Sequence, residues 1–487
     1  MEKNLLYYGD NLDVLRKHVK DESVDLIYLD PPFNSKRNYS VIFSKDKATD
    51  EDKNRAQVDA FEDTWHWTME TSIQYDSFVA TAPVHVAKAL SAYRLLLGEN
   101  DAMSYLTNMA PRLLELHRVM KPSASMYLHC DPTMSHYLKV LLDAIFRDDR
   151  TGFMNEIIWS YRTGGMSKRW FGRKHDVLLL YVKDDRKHTF NLIKEKSYIT
   201  HKYGFKNVQI YQEPAPDNRL YTMVGMRDVW AIDALRGNQP ETLGYPTQKP
   251  LALLERVVAA SSNEGDIVLD PFCGCGTSVD AAQRMNRSWI GIDIAYTAID
   301  LIEKRLKHTY AKEPAPIETT YKVEGIPKDI GAAHDLFERS HFEFERWVVA
   351  LLDATPKPRP GRDKGVDGLR QFYLDAKGQL GSVIISVKGG AYGPTDIRDL
   401  GGTLDAQGAQ MGILVSLKPS TRGVRDAVDH GGTYTHPATG EVFPRLQHVT
   451  VDELLRHELP RIPLSSPGYI QAAKLAEEPI EESTLFD

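Results

Sequence analysis

Short apolar runs closed by turn residues recur through the first 300 positions and alternate with stretches of helical period. Leu26 to Leu29 is one such run, stopped by Pro31 and Pro32; Asp266 to Asp270 and Ser288 to Ile294 are two more. Runs of this length without alternation predict strands buried on both faces of a parallel sheet. Another strand is expected to end near Tyr7, with a helix beginning near Asn11. From Tyr105 to Met120 the positions Leu106, Met109, Leu113, Leu116 and Met120 recur every three or four residues, which predicts an amphipathic helix. Lys121-Pro122-Ser123 ends it, and Met126-Tyr127-Leu128 opens the next strand. Gly152 to Tyr161 continues the sheet, Leu251 to Ser262 forms a helix with Pro250 at its first position, and Tyr296 to Lys307 forms the last helix. Strands alternating with helices give an α/β fold with a doubly wound, mostly parallel, Rossmann-like sheet. Residues 34 to 60 are charge-rich and weakly periodic, and predict a loop, either one able to close over a substrate or a plain solvated one.

Composition narrows this only slightly. At 487 residues two to three domains are expected, and 42% hydrophobic with 26% charged residues is ordinary for a globular chain. No run of about 18 apolar residues and no N-terminal signal pattern is present, so neither a membrane span nor secretion is expected, and a cytoplasmic location follows. Cys130, Cys273 and Cys275 have no metal-ligand spacing and read as packing residues in a reducing compartment. The formal charge of -7 hides a basic stretch: residues 161 to 210 hold twelve Lys/Arg against four Asp/Glu. Trp170, Phe171, Tyr181, Phe190, Tyr198, Tyr203 and Phe205 are interleaved there, a pattern suited to phosphates and bases. Arg162, Lys168, Arg169, Arg173 and Lys174 are its candidate DNA contacts, and double-stranded DNA is the expected partner.

The chemistry concentrates where strands end. Asp30, Pro31, Pro32 and Phe33 follow the first apolar run, at the sheet edge where ligands bind in open α/β folds. An exocyclic amino group has its lone pair delocalised into the base, so it needs acceptors for its N–H groups before it can attack. Asp30 and the Pro31 carbonyl can supply them, with Phe33 stacking on an extruded base. A strand merely ended by a Pro-Pro turn is the bland alternative. Some 240 residues on, Asp270-Pro271-Phe272-Cys273-Gly274-Cys275-Gly276-Thr277 follows a second strand and opens a helix. Glycines there allow close backbone approach to a ligand. Val279 takes the third glycine position of a dinucleotide fingerprint, which disfavours NAD. Asp293, 17 residues past Gly276, ends the third strand, where an acidic group can bind ribose hydroxyls. His129 is expected to be structural.

Gly9-Asp10-Asn11, Asp30-Pro31-Pro32-Phe33, Pro246-Thr247-Gln248-Lys249-Pro250, the Asp270 to Thr277 loop and Gly291-Ile292-Asp293, in that order, resemble the permuted, beta-type S-adenosylmethionine-dependent amino DNA methyltransferases over residues 1 to 310. The resemblance implies a catalytic tetrad of Asp30, Pro31, Pro32 and Phe33. It implies cofactor contacts from Asp10, Asn11, Thr247, Gln248, Lys249, Asp270, Phe272, Gly274, Gly276, Thr277 and Asp293, although a helix cap accounts for Asp10 equally well. Thr247, Lys249 and the positive end of the following helix would hold the methionine carboxylate. Residues 162 to 240 would carry target recognition. Asp at the head of the tetrad accompanies N6-adenine in the family, while N4-cytosine stays open. A homodimer is a candidate assembly.

Lys312 to Pro316 marks a linker, set at 311 to 324, before a second unit at 325 to 460 and an acidic tail at 461 to 487, expected to be disordered. The second unit pairs a helix at Phe342 to Leu352 with strands at Ser382 to Lys388 and Met411 to Ser416. Its order resembles the Mrr-like PD-(D/E)xK restriction endonucleases, a smaller α/β fold. Asp367 and Lys388 match that pattern, with Glu345 as an auxiliary carboxylate, but Ser386 stands where an acidic or Gln residue is expected. Mg²⁺, bound by Asp367, is expected only if the unit cleaves DNA. A bifunctional enzyme and an inactive DNA-binding module are the alternatives.

Overall fold

A computed structural model describes residues 4–32, 37–42, 57–63, 66–147, 152–162, 169, 171–200, 208–235, 239–243, 245, 247–356, 365–375 and 379–463. Phe33, Pro246, Lys168, Trp170 and the acidic tail from 464 lie outside them. The main sheet is built from β1 (Asn4–Tyr8), β2 (Val24–Leu29), β5 (Met120–Cys130), β6 (Phe153–Ser160), β7 (His175–Val182), β11 (Val229–Ala231), β12 (Ile267–Asp270), β13 (Ser288–Asp293) and β14 (Tyr321–Glu324). Their spatial order is β11-β6-β7-β5-β2-β12-β13-β1-β14. From β5 to β14 every pair is parallel, and β7 alone runs against its neighbours.

The period-two rule is visible in β2, where every residue is buried. Leu26 and Tyr28 pack into one core, with Leu254 and Val257 of α6 (Leu251–Ser261), Val279 of α7 (Thr277–Arg284) and Ile302 of α8 (Tyr296–Thr309). Ile27 and Leu29 pack into the other. There they meet Leu15 of α1 (Asn11–His18), Tyr75 of α2 (Met69–Thr81), Leu90 of α3 (Val84–Leu97), Leu113 of α4 (Asp101–Val119) and Leu142 of α5 (Ser135–Ile145). Helices on both faces make the sheet doubly wound. β2 leads outward to β5 on one side and β12 to β13 on the other, so the strand order switches between β2 and β12.

Several local expectations change. Within 34 to 60 the described residues hold β3 (Arg37–Ile42), paired antiparallel with β4 (Gln57–Asp63), rather than loop alone. β5 starts at Met120, ahead of the expected strand, because an irregular step in its pairing with β2 accommodates Pro122. Pro250 is the N-cap of α6, not its first residue. β8 (Lys194–Ile199), β9 (Tyr211–Gln212) and β10 (Leu220–Gly225) form a separate three-stranded antiparallel sheet within the expected recognition stretch. The linker assignment fails at its end: β14 joins the main sheet beside β1.

The second unit has a five-stranded sheet of β15 (Thr355–Pro356), β16 (Gly368–Tyr373), β17 (Leu380–Lys388), β18 (Met411–Ser416) and β21 (Leu446–Thr450), with a small β19 (Thr433–Thr435) and β20 (Val442–Pro444) hairpin. On one face lie α9 (Ile330–Arg339), α10 (His341–Leu351) and α13 (Val451–Leu455); on the other, α11 (Pro394–Gln407) and α12 (Arg422–Asp429). Phe344 and Trp347 of α10 belong to the same apolar cluster as Ile299 and Ile302 of α8, so the two units share one core. Trp347 is fully buried there. Trp347→Ala is expected to cost roughly 3–5 kcal/mol, read as a lower urea midpoint of the whole chain, and an unchanged midpoint would contradict the shared core.

Candidate functional site

Four acidic side chains gather at the carboxyl edge of the main sheet because four parallel strands end there. Asp10 follows β1, Asp30 follows β2, Asp270 ends β12 and Asp293 ends β13; all line one cavity of about 310 Å³. The register aligns them: Tyr8 pairs with Asp293, and Asp270 with Gly291. Pro32, Thr247, Gln248, Lys249, Phe272, Gly274 and Thr277 line the same cavity.

The glycine turn is held from beneath. Gly274 and Gly276 have φ of +50° and +72°, conformations that favour glycine. A Cβ on Gly276 would stand 2.7 Å from Ile302 Cγ1, so close packing against α8 also excludes a side chain. Asp293 Oδ2 accepts from the Gly274 N–H at 2.8 Å and Oδ1 from the Ala295 N–H at 2.9 Å. Arg305, buried in α8, donates to the Cys275 carbonyl and to Thr277 Oγ1, each at 3.1 Å, and pairs with Asp280 at 3.0 Å. Cys130, Cys273 and Cys275 are buried and free.

Asp30 is held by one of its two oxygens. Its Oδ2 accepts from Lys249 Nζ across 219 residues of sequence, while its buried Oδ1 has no hydrogen-bond partner among the described residues. His129 Nδ1 lies 3.9 Å from that oxygen and bonds Tyr28 Oη at 2.7 Å; its Nε2 meets Asp176 Oδ2 at 3.4 Å. Burial alone would raise Asp176, but the bond and charge of His129, the charge of Lys249 and the Tyr161 hydroxyl outweigh it and hold its carboxyl below the usual range. His129 is thus buried and bridges Tyr28 and Asp176 behind Asp30.

The cavity differs from expectation at the α6 N-terminus. The Leu251 N–H is already taken by Glu241 Oε1 at 2.6 Å, and Lys249 is turned onto Asp30. The helix end and Lys249 therefore do not form an open carboxylate cradle. Gln248 bonds back to Leu243 and Glu241, each at 2.8 Å, and Thr247 is held at φ +62°, a strained conformation for a β-branched residue. Asn11 donates to the Pro271 carbonyl at 2.8 Å and accepts from Arg112 at 2.7 Å, and Asp10 both caps α1 and pairs with Arg112 at 2.5 Å. Arg112, Tyr245, Ser278 and Asp176 escape sequence reasoning. Arg112 lies on a helix about 100 residues from its partners, and only its cationic type in an amphipathic pattern marks it.

The basic stretch disperses. Arg162 follows β6 at the same edge as Asp30 and pairs with Asp233 at 2.8 Å, while Arg169, Arg173 and Lys174 lie in the β6–β7 connection. Lys187 and Lys196 are matched locally by Asp184 and Glu213. Tyr181 is core, bonded to Asp143 at 2.7 Å, and so is not a base contact; Phe171 is almost fully exposed. In the second unit, Asp367 Oδ2 accepts from the Val387 N–H at 2.6 Å and Ser386 Oγ at 3.4 Å, and Lys388 stands 3.8 Å from Asp396. Burial, with the Asp367 charge, pushes the Glu345 carboxyl up to about 7. Among the described residues no group of three His, Cys, Asp or Glu is placed to hold a metal, and a serine hydroxyl is a poor third ligand for a hard cation. This set does not fit Mg²⁺, which corrects that conditional expectation.

Burial pushes the Asp270 carboxyl up to about 7, against bonds from Ser278 and the Phe272 N–H and with Asp30 and Asp293 adding to the rise; burial likewise takes Asp293 to about 6. Between the ordinary value of 3.8 and about 7 the folded chain therefore holds a proton at Asp270 that the unfolded chain has released. Stability from this group is full below that window and lost as pH rises through it. Asp270→Asn is expected to flatten the fall in urea midpoint between about pH 4 and about pH 7, and an unchanged slope would refute the assignment. Gly276→Ala is expected to cost roughly 1–3 kcal/mol in the same measurement.

Residues 24–304 match the N6_N4 DNA methylase family, and residues 341–456 match a family described as NACHT-associated inactive restriction endonuclease 1. The type II methyltransferase M.HpaI of Haemophilus parainfluenzae is 29% identical over 290 residues, 60% of this chain and 70% of that protein. The DNA adenine methyltransferase YhdJ of Escherichia coli K12 is 28% identical over 321 residues, 65% of this chain and 88% of that protein. Among solved structures, the M1.HpyAVI–SAM complex is matched over 62% of this chain and 98% of that one, at 18% identity and a TM-score of 0.35. The cytosine-N4-specific PvuII methyltransferase is matched over 62% and 86%, at 15% identity and 0.36. With its family match spanning more than half of the sequence, this chain belongs to the N6_N4 DNA methylase family.

Proposed function

We propose that this protein transfers the methyl group of S-adenosylmethionine to the exocyclic N6 amino group of adenine in duplex DNA. The observation that carries this reading is the meeting of Asp30 and Gly274 in one cavity, although about 240 residues separate them. Tetrad before glycine turn is the order of the permuted, beta-type enzymes.

Asp30 lines the cavity, and its carboxylate, with the main-chain carbonyl of the following Pro31, would accept the N–H groups of an amino group entering there. Accepting both N–H groups draws the nitrogen toward a pyramidal geometry and localises its lone pair. Lys249 fixes the Asp30 side chain and offsets its charge. Phe33 would stack on the extruded base, whose flipping costs a few kcal/mol. Asp293, at the end of β13 and in contact with the glycine turn, is the acidic group for the ribose hydroxyls. Asp10, Asn11, Thr247, Gln248, Asp270, Phe272 and Thr277 complete the cofactor's walls, and Gly274 lets the backbone approach it, while Gly276, packed on Ile302, shapes the turn from outside the lining. The bound cofactor supplies an electrophilic methyl; the protein supplies proximity and acceptors, with no covalent enzyme intermediate. Residues 162 to 240, with Arg162, Arg169, Arg173 and Lys174 beside the sheet edge, are assigned to DNA. We assign the second unit to the Mrr-like PD-(D/E)xK fold without cleavage, and the protein to the cytoplasm. Among the described residues no helix is long and apolar enough to cross a membrane.

Cofactor-dependent transfer of tritium to genomic DNA is expected from the wild type. Asp30→Ala should reduce it at least about 100-fold while cofactor binding persists. Sequencing of the product should report N6-methyladenine; N4-methylcytosine would redirect the substrate assignment, and no transfer by wild type would end the enzymatic reading.

A further inference from the structure

One carboxylate of the second unit reaches out of that unit altogether. Glu343, in the first turn of α10, places Oε2 3.3 Å from the Tyr8 hydroxyl and 3.2 Å from the Tyr296 N–H. Both donors adjoin turns that line the candidate cofactor cavity. Tyr8 directly precedes Gly9 and Asp10; Tyr296 closes the turn that begins with Asp293 and Ile294. The two turns are bonded to each other, Gly9 N–H to the Asp293 carbonyl at 2.9 Å, and the Tyr8 and Tyr296 rings meet edge-on at 5.7 Å.

The sequence of α8 explains why an outside acceptor is used. Its N-cap is Ala295, which has no side-chain acceptor, and Tyr296 is its first residue. The free N–H groups and positive dipole end of a helix favour a carboxylate there. Glu343 supplies it from another unit, and is itself oriented: its N–H is bonded by Ser340 Oγ, the N-cap of α10, and Arg346 lies 3.7 Å from Oε1. Packing of α10 against α8 in the shared core keeps the carboxylate in reach.

We propose that Glu343 is a positioning residue through which the endonuclease-like unit sets cofactor affinity, capping α8 in trans and locking the Asp293–Ile294 and Gly9–Asp10 turns together. This rests on the S-adenosylmethionine reading of the cavity. It gives the second unit a task that needs no nuclease chemistry. Because coupling is reciprocal, bound cofactor must also raise the stability of the α8–α10 contact.

The test is isothermal calorimetry of S-adenosylmethionine binding to the full chain, without DNA, together with kcat at saturating cofactor. Glu343→Ala is expected to weaken binding about 5-fold or more, with kcat within about two-fold of wild type. Glu343→Gln keeps an acceptor oxygen for both donors and is expected to bind within about two-fold of wild type. Tyr8→Phe removes one hydroxyl without touching the helix cap, and should weaken binding in the same direction; combined with Glu343→Ala it should add nothing. If Glu343→Ala fails to fold, Tyr8→Phe decides: weaker binding supports the proposal and unchanged binding overturns it. Equal affinity of wild type, Glu343→Ala and Tyr8→Phe overturns it while the methyltransferase reading stands. Absence of binding by wild type removes that reading and the proposal with it.

Discussion

The pairing of β2 with β12 is the constraint on which the site depends. Two registered pairs, Leu26 with Val268 and Ile27 with Leu269, join segments more than 200 residues apart. Asp25 reinforces them at the opposite end, accepting from the Ile267 N–H at 3.0 Å and from Lys121 at 2.7 Å. A slip of one residue would turn Leu26 and Tyr28 from one core to the other and carry Asp30 away from Asp270. With the register fixed, the cavity opens where the crossover connections diverge, and no helix fills it.

Crowding four carboxylates at that edge has a cost, and each is met differently. Asp10 has Arg112 and Asp30 has Lys249; Asp270 has Ser278 and a backbone N–H; Asp293 has only backbone N–H groups. Burial pushes the carboxyls of Asp270 and Asp293 up. An edge so arranged suits a ligand that brings positive charge and hydroxyl donors together, since both relieve the repulsion.

The second unit is part of the same construction. β14, just ahead of it, extends the main sheet, α10 closes the core over α8, and Glu343 completes a helix end that its own sequence leaves bare. Its candidate nuclease residues are spent on internal contacts: Asp367 holds the backbone of β17, and Lys388 faces Asp396.

The sequence by itself determined the strands and helices that carry the site, because buried parallel strands and amphipathic helices are written in local apolar spacing. It also marked Asp30, Asp270, Asp293 and the glycine turn, since strand ends and tight turns restrict residue type locally. Chain separation hid the rest. The Lys249–Asp30 pair, Arg112 beneath Asp10 and Asn11, and Glu343 on α8 each join residues distant in sequence, and no periodicity encodes a long-range contact. The same reason undid the linker: Tyr321 to Glu324 is too short to announce a strand, and becomes one because β1 offers an unpaired edge. Tertiary packing alone decided which charges at the sheet edge neutralise one another.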